Sequence, residues 1–222
     1  MRFFRGLAVP SDQADGIADR IRSEGLVSNA WRWRTGHWRP DPRLTEKSDL
    51  GLDDTRPKGV LAKPAICACG DEEGAAYYAW QHNRNASDDS PLLIEFEAPI
   101  ENVAVDGKDC LYTVFQRGDS SLARDFVRDA FGEAGLRFAE RAWQLTDQGS
   151  RIALCDLMIH DPAVIAAHHG SRVVIAGRCN TVFRSAFTVA LPIPPTSIVT
   201  VWRPAEQATI PRPDVYLNRL IL

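Results

Sequence analysis

The order of apolar runs along the chain constrains the fold most. RFFRGLAV (2–9) opens the chain as a strand-like run, RVVIAG (172–177), AFTVALPI (186–193) and SIVTVW (197–202) gather near its end, and residues 120–147 between them carry helical spacing. Strands and helices are thus segregated, with no regular β-α-β alternation, and no G-x-G-x-x-G follows the first strand. This pattern argues against a doubly wound dinucleotide fold and predicts an α+β architecture. At 222 residues, with 45% hydrophobic and 25% charged residues, the chain is long enough to bury one sizeable core, and a single domain spanning 1–222 is expected.

The local signals fill in that outline. Ser11 is expected to cap a helix carrying Ile17 and Ile21 on one face and closing at Gly25. Residues 28–63 lose periodicity among Gly36, Pro40, Pro42, Gly51, Pro57 and Gly59, which predicts a long loop on the surface or over a cleft. AICAC (65–69) predicts a short strand, and the acidic start at Asp71 a helix to about His82. LLIEFEA (92–98) has strand composition, and DCLYTVF (109–115), after the turn signal Asp106-Gly107, reads as another β run. Two helices over 120–147 are expected to break near Gly132 to Gly135, and Asp161-Pro162 to start a further helix with His168 and His169 near its end.

Charge and cysteine usage narrow the function classes. A net charge of −3 with a pI near 6.0 excludes a uniformly basic nucleic-acid coat. The odd count of five cysteines, with Cys67 and Cys69 one residue apart, fits reduced thiols better than a disulfide framework or a zinc site. A helix cap accounts for Asp161 and His160, His168 and His169 better than a metal centre does, so no metal is expected. MRFFRGLAVP lacks the apolar run of a signal peptide, and no stretch approaches the ~18 apolar residues of a membrane span, so the expectation is a cytoplasmic protein, in its own cell or a host's.

Three segments stand out for chemistry: Arg5-Gly6 on the first strand, ICACGDEEGAAYYA (66–79), and FRSAFTVALPIPPTSI (183–198). Taken in this order they resemble the ADP-ribosyltransferase family. The resemblance implies a split β-sheet core with flanking helices, and NAD as a substrate whose ADP-ribose passes to a macromolecular acceptor as nicotinamide leaves. It implies that Arg5 orients NAD, that Gly6 contributes backbone to the nicotinamide amide, and that Tyr78, beside Tyr77, stacks on the nicotinamide ring. Cys67 and Ala68 fall where one branch of the family places a second aromatic residue and the other a Ser-Thr-Ser strand. The catalytic glutamate of the family maps onto Ala186, directly before Phe187, so the reaction is expected to lack its carboxylate. Glu95, Glu97, Glu101 and Glu206 are not obvious substitutes. The resemblance also suggests a toxin, effector or defence enzyme, and with it an antitoxin or immunity partner.

Each residue also has a plainer explanation. Arg5 can be a surface charge at a strand end, Tyr77 and Tyr78 ordinary packing of an amphipathic helix, and Ala186 a small buried strand residue. The run NAWRWRTGHWRPDPR interleaves Trp31, Trp33 and Trp38 with Arg32, Arg34 and Arg39. Stacking faces beside phosphate-binding cations fit nucleic acid or the adenosine end of NAD, and tilt the acceptor toward nucleic acid over protein. A strand or lid with Trp inward and Arg outward fits equally. Two rival functions follow: an NAD-dependent RNA 2′-phosphotransferase-like enzyme, or a non-catalytic nucleotide- or partner-binding module of the same fold.

Overall fold

RFFRGLAV has the alternation of a central strand: Phe3, Leu7 and Val9 are buried on one face, while Phe4 packs on the other. In the computed structural model, which describes residues 1–27, 65–81, 90–177, 182–205, 208–209 and 212–220, this segment is strand β1 (Arg2–Val9). It pairs along its whole length with β3 (Ser90–Glu97), from Arg2 opposite Glu97 to Val9 opposite Ser90. The remaining strands of this sheet are β2 (Ala65–Cys69), β4 (Val103–Val105), β7 (Ala186–Ala190) and β8 (Ile198–Trp202). All neighbours are antiparallel, in the order β4-β7-β2-β1-β3-β8. A second small sheet joins β5 (Ile175–Ala176), β6 (Val182–Phe183) and β9 (Val215–Tyr216) in the order β6-β5-β9.

Helix α1 (Ala14–Glu24) buries Ala14, Ile17, Ala18 and Ile21, a helical stripe, and ends at Gly25 with φ +75°. Ser11 does not cap it: Ser11–Gln13 form a 3-10 turn, in which the Gln13 N–H donates to Pro10 O, before the α-helix begins. Helix α2 (Glu72–Gln81) has Asp71 at its head, whose carboxylate accepts from the Gly74 N–H at 2.8 Å. Its Ala75 and Ala79 pack against Phe4, Cys69 and Leu93, so α2 covers one face of the sheet.

The other face belongs to the main core, shared with α1 and a helical block of α3 (Lys108–Arg117), α4 (Ser121–Trp143), α5 (Gln148–Met158) and α6 (Pro162–Gly170). A short α7 (Leu217–Leu220) follows β9. The β run expected over 109–115 is helix α3 instead. Cys110, Leu111, Val114 and Phe115 are buried, and their i, i+1, i+4, i+5 spacing marks one helical face, which outweighs the β propensity of Tyr112, Thr113 and Val114. Asp106-Gly107 accordingly leads into a helix, with the Leu111 N–H donating to Gly107 O at 2.9 Å. The break expected in 120–147 falls at Gly132, at φ +72°. Asp161 caps α6 through the N–H groups of Ala163 and Val164, whereas RVVIAG contributes only the two residues of β5. The fold class is mixed α+β, and among the described residues no helix is long and apolar enough to cross a membrane.

Candidate functional site

The sheet has a discontinuity. β1 and β2 are neighbours but share one residue pair, Phe4 opposite Cys69, beyond which the strands separate. β2 remains fully paired with β7 on its far side, Ala65 to Cys69 opposite Ala190 to Ala186. Where the strands part lies a cavity of about 330 Å³, at the lower end of the ~300–1,000 Å³ typical of small-molecule sites. Residues 4–8 of β1 form one wall and residues 65–69 of β2 the other, with Tyr78, Asp106 and Ala186 completing the lining.

Arg5 spans this opening, its Nη1 donating to Cys67 O at 2.5 Å. Desolvation lowers the pKa of the guanidinium, while the Cys67 and Cys69 thiols act in the opposite direction. An arginine nevertheless keeps its charge, which leaves a fixed cation in the cleft. Burial, reinforced by Asp106, pushes the Cys67 thiol up to about 11, even though Arg5 favours the thiolate. Cys69 is raised further by burial and by Asp71. Both thiols are protonated at neutral pH and are poor nucleophiles there. Burial also raises the Tyr78 phenol, with Cys69 and Asp106 adding to it, so the hydroxyl is neutral; Tyr78 lines the cavity, and its hydroxyl donates to Val182 O at 3.4 Å.

Gly6 has a structural task of its own. A Cβ there would lie 1.9 Å from Ala75 O and 2.7 Å from Ala79 N, so its missing side chain is the space into which α2 packs. Gly6 still contributes backbone to the cavity wall. Tyr77 does not line the cavity; its ring meets that of Tyr78 edge-on, centroids 5.5 Å apart. Trp31, Arg32, Trp33, Arg34, Trp38 and Arg39 lie outside the described residues, as does the whole loop expected over 28–63.

Position 186 is held with unusual definition. The Ala186 N–H donates to His168 Nε2 at 3.0 Å, and His168 Nδ1 donates in turn to Ala130 O at 2.9 Å. An amide can only donate, so Nε2 carries the lone pair and the ring is the neutral Nδ1–H tautomer. Burial first of all holds its pKa down, at about 4. The ring stacks on Phe131 and meets Phe187 edge-on, which ties α6 and α4 to the start of β7. On the chain just before, Ser185 adopts φ +47°, and Arg184 grips Asp71 with two nitrogens and Glu73 at 2.6 Å, fastening the approach to β7 onto the head of α2. Arg184 and Ser185 carried no signal as single residues in the sequence, because their role is set by what they meet across the fold.

Among the described residues no group of three or more His, Cys, Asp or Glu side chains is placed to hold a metal ion. Glu95 and Glu97 are engaged by Arg2 at 3.2 and 3.3 Å and do not line the cavity. No family model matches the chain, and no curated protein or solved structure matches it either.

Proposed function

We propose that the cleft between β1 and β2 binds the nicotinamide end of NAD, and that the chain works as an ADP-ribosyltransferase-like protein on a macromolecular acceptor. One observation carries the reading: residues 5, 67, 68, 78 and 186, dispersed over most of the sequence and selected as a set by the resemblance, line one cavity. The chemistry of that lining suits the ligand. A permanent cation at Arg5 complements a pyrophosphate or ribose oxygen, and a neutral aromatic face at Tyr78 suits a pyridinium ring.

Ala186 supports a second reading, a binding module of the same architecture without turnover, because a methyl group stabilises no cationic ribose. The experiment common to both is calorimetric titration of NAD into the protein and into Arg5→Gln. Binding is expected in the micromolar to millimolar range, weakened roughly tenfold by loss of the guanidinium. NAD that fails to bind the wild-type protein, or that binds Arg5→Gln equally well, removes the reading.

A further inference from the structure

Among the described residues that line the cavity, Asp106 is the only acidic side chain. Its position follows from strand register. β4 pairs with β7 as Val103 opposite Val189, Ala104 opposite Thr188 and Val105 opposite Phe187, and the Asp106 N–H donates to Ala186 O at 2.9 Å, continuing the register by one residue. Residues opposite each other in an antiparallel pair project from the same face with Cβ atoms ~5 Å apart. Ala186 in turn lies opposite Cys69, and Cys69 opposite Phe4. Phe4, Cys69, Ala186 and Asp106 therefore form one row across four strands, on the face covered by α2. Both residues line the cavity, so a carboxylate at 106 stands beside the place that a longer side chain at 186 would take. Cys67, whose thiol pKa Asp106 helps to raise, lines the same cavity from the β2 side.

We infer that Asp106 supplies the cleft's reacting carboxylate, from the strand adjacent to the one on which position 186 lies. The inference rests on the NAD reading above. In the step it serves, the bond between ribose C1′ and nicotinamide N1 breaks, and its electron pair leaves with N1, so that the pyridinium departs as neutral nicotinamide. The positive charge growing on C1′ and the ring oxygen faces the Asp106 carboxylate. An acceptor oxygen or nitrogen, water included, then bonds to C1′, and its proton passes to Asp106 and on to solvent. The balance is NAD⁺ plus acceptor–H giving ADP-ribosyl acceptor, nicotinamide and H⁺, with no redox change.

The test compares NAD binding by calorimetry with nicotinamide release in heat-treated lysate, for wild type, Asp106→Asn, Ala186→Glu and the double variant. The expected result is release by wild type, a loss of roughly 10²-fold or more in Asp106→Asn with NAD affinity unchanged within about threefold, and partial recovery in the double variant, because a carboxylate from 186 re-enters the same space. Asp106→Ser, checked by its melting curve, replaces the Asn variant if that one does not fold. Wild-type release that survives removal of the carboxylate overturns the assignment. So does wild-type protein that binds NAD without releasing nicotinamide, whether or not Ala186→Glu alone then turns over; in that case the NAD reading stands. Failure of NAD to bind any variant removes the NAD reading itself, and the assignment with it.

Discussion

The buried His168 makes stability depend on pH in a window that can be worked out in advance. Its neutral ring donates to Ala130 O and accepts from the Ala186 N–H, and protonation would set an N–H against an N–H inside the core. The native pKa is held near 4, against about 6.5 for an unperturbed histidine. Between those values the unfolded chain binds a proton that the native protein does not, so stability is fully present above about pH 6.5 and is lost as the pH falls toward 4. At 1.36 kcal/mol per unit, the loss from this group reaches roughly 2 kcal/mol by about pH 5 and levels off near roughly 3 kcal/mol below pH 4. Carboxylates also titrate in this range, so the informative quantity is a difference. Urea unfolding of wild type and of His168→Gln, from pH 7.5 to 4.5, is expected to give wild type a steeper acid loss by that amount. The reasoning is refuted if the wild-type and His168→Gln curves run parallel, or if the His168 ring titrates near 6.5 by NMR.

Two further substitutions test how the cleft is held. Gly6→Ala places a methyl group 1.9 Å from Ala75 O, which is backbone and cannot swing aside, so α2 must shift; a loss of at least ~3 kcal/mol in urea unfolding is expected, and an unchanged midpoint would mean that the helix does not pack this closely. Arg184→Met leaves the mostly buried Asp71 carboxylate with the Gly74 N–H but without its counter-charge, and about 2 kcal/mol of stability should go with it, less than for a fully enclosed pair because Glu73 is exposed; equal stability by calorimetric melting would show the ion pair to be immaterial.

Much of the fold was legible because local signals and tertiary demands agreed. RFFRGLAV, AICAC and LLIEFEA are strands, Gly25 and Gly132 sit where the chain needs positive φ, and Asp161 caps α6. DCLYTVF shows where agreement failed. Its residues favour strands one by one, yet the surface available to them is the inner side of a helical block, which takes an i, i+4 stripe and not an alternation. β4 went unread because three residues, Val103–Val105, are too few for any periodicity to register. The histidines at 168 and 169 were read correctly as lying near a helix end, but one of them has its ring in the core, a difference set by Phe131 and Phe187 from other elements.

The site divides along the same line. Arg5, Cys67, Ala68, Tyr78 and Ala186 stood out because each lies in a recognisable local pattern, and the split between β1 and β2 gathers them around one cavity. Gly6 carries a signal with two sources, since the tight approach of α2 requires a glycine there whatever the cleft binds. Asp106 had the opposite fate: before a glycine it reads as a turn residue, and that local explanation hid it. Only register exposes it, because the β4–β7 pairing that places Asp106 beside Ala186 joins segments 80 residues apart, and no spacing along the chain encodes which carboxylate faces which vacancy. Residues facing each other across the ladder lie ~5 Å apart on the same face, whatever either side chain is. On the proposal made above, the carboxylate that serves the cleft comes from the strand beside position 186, and nicotinamide release by Asp106→Asn decides it.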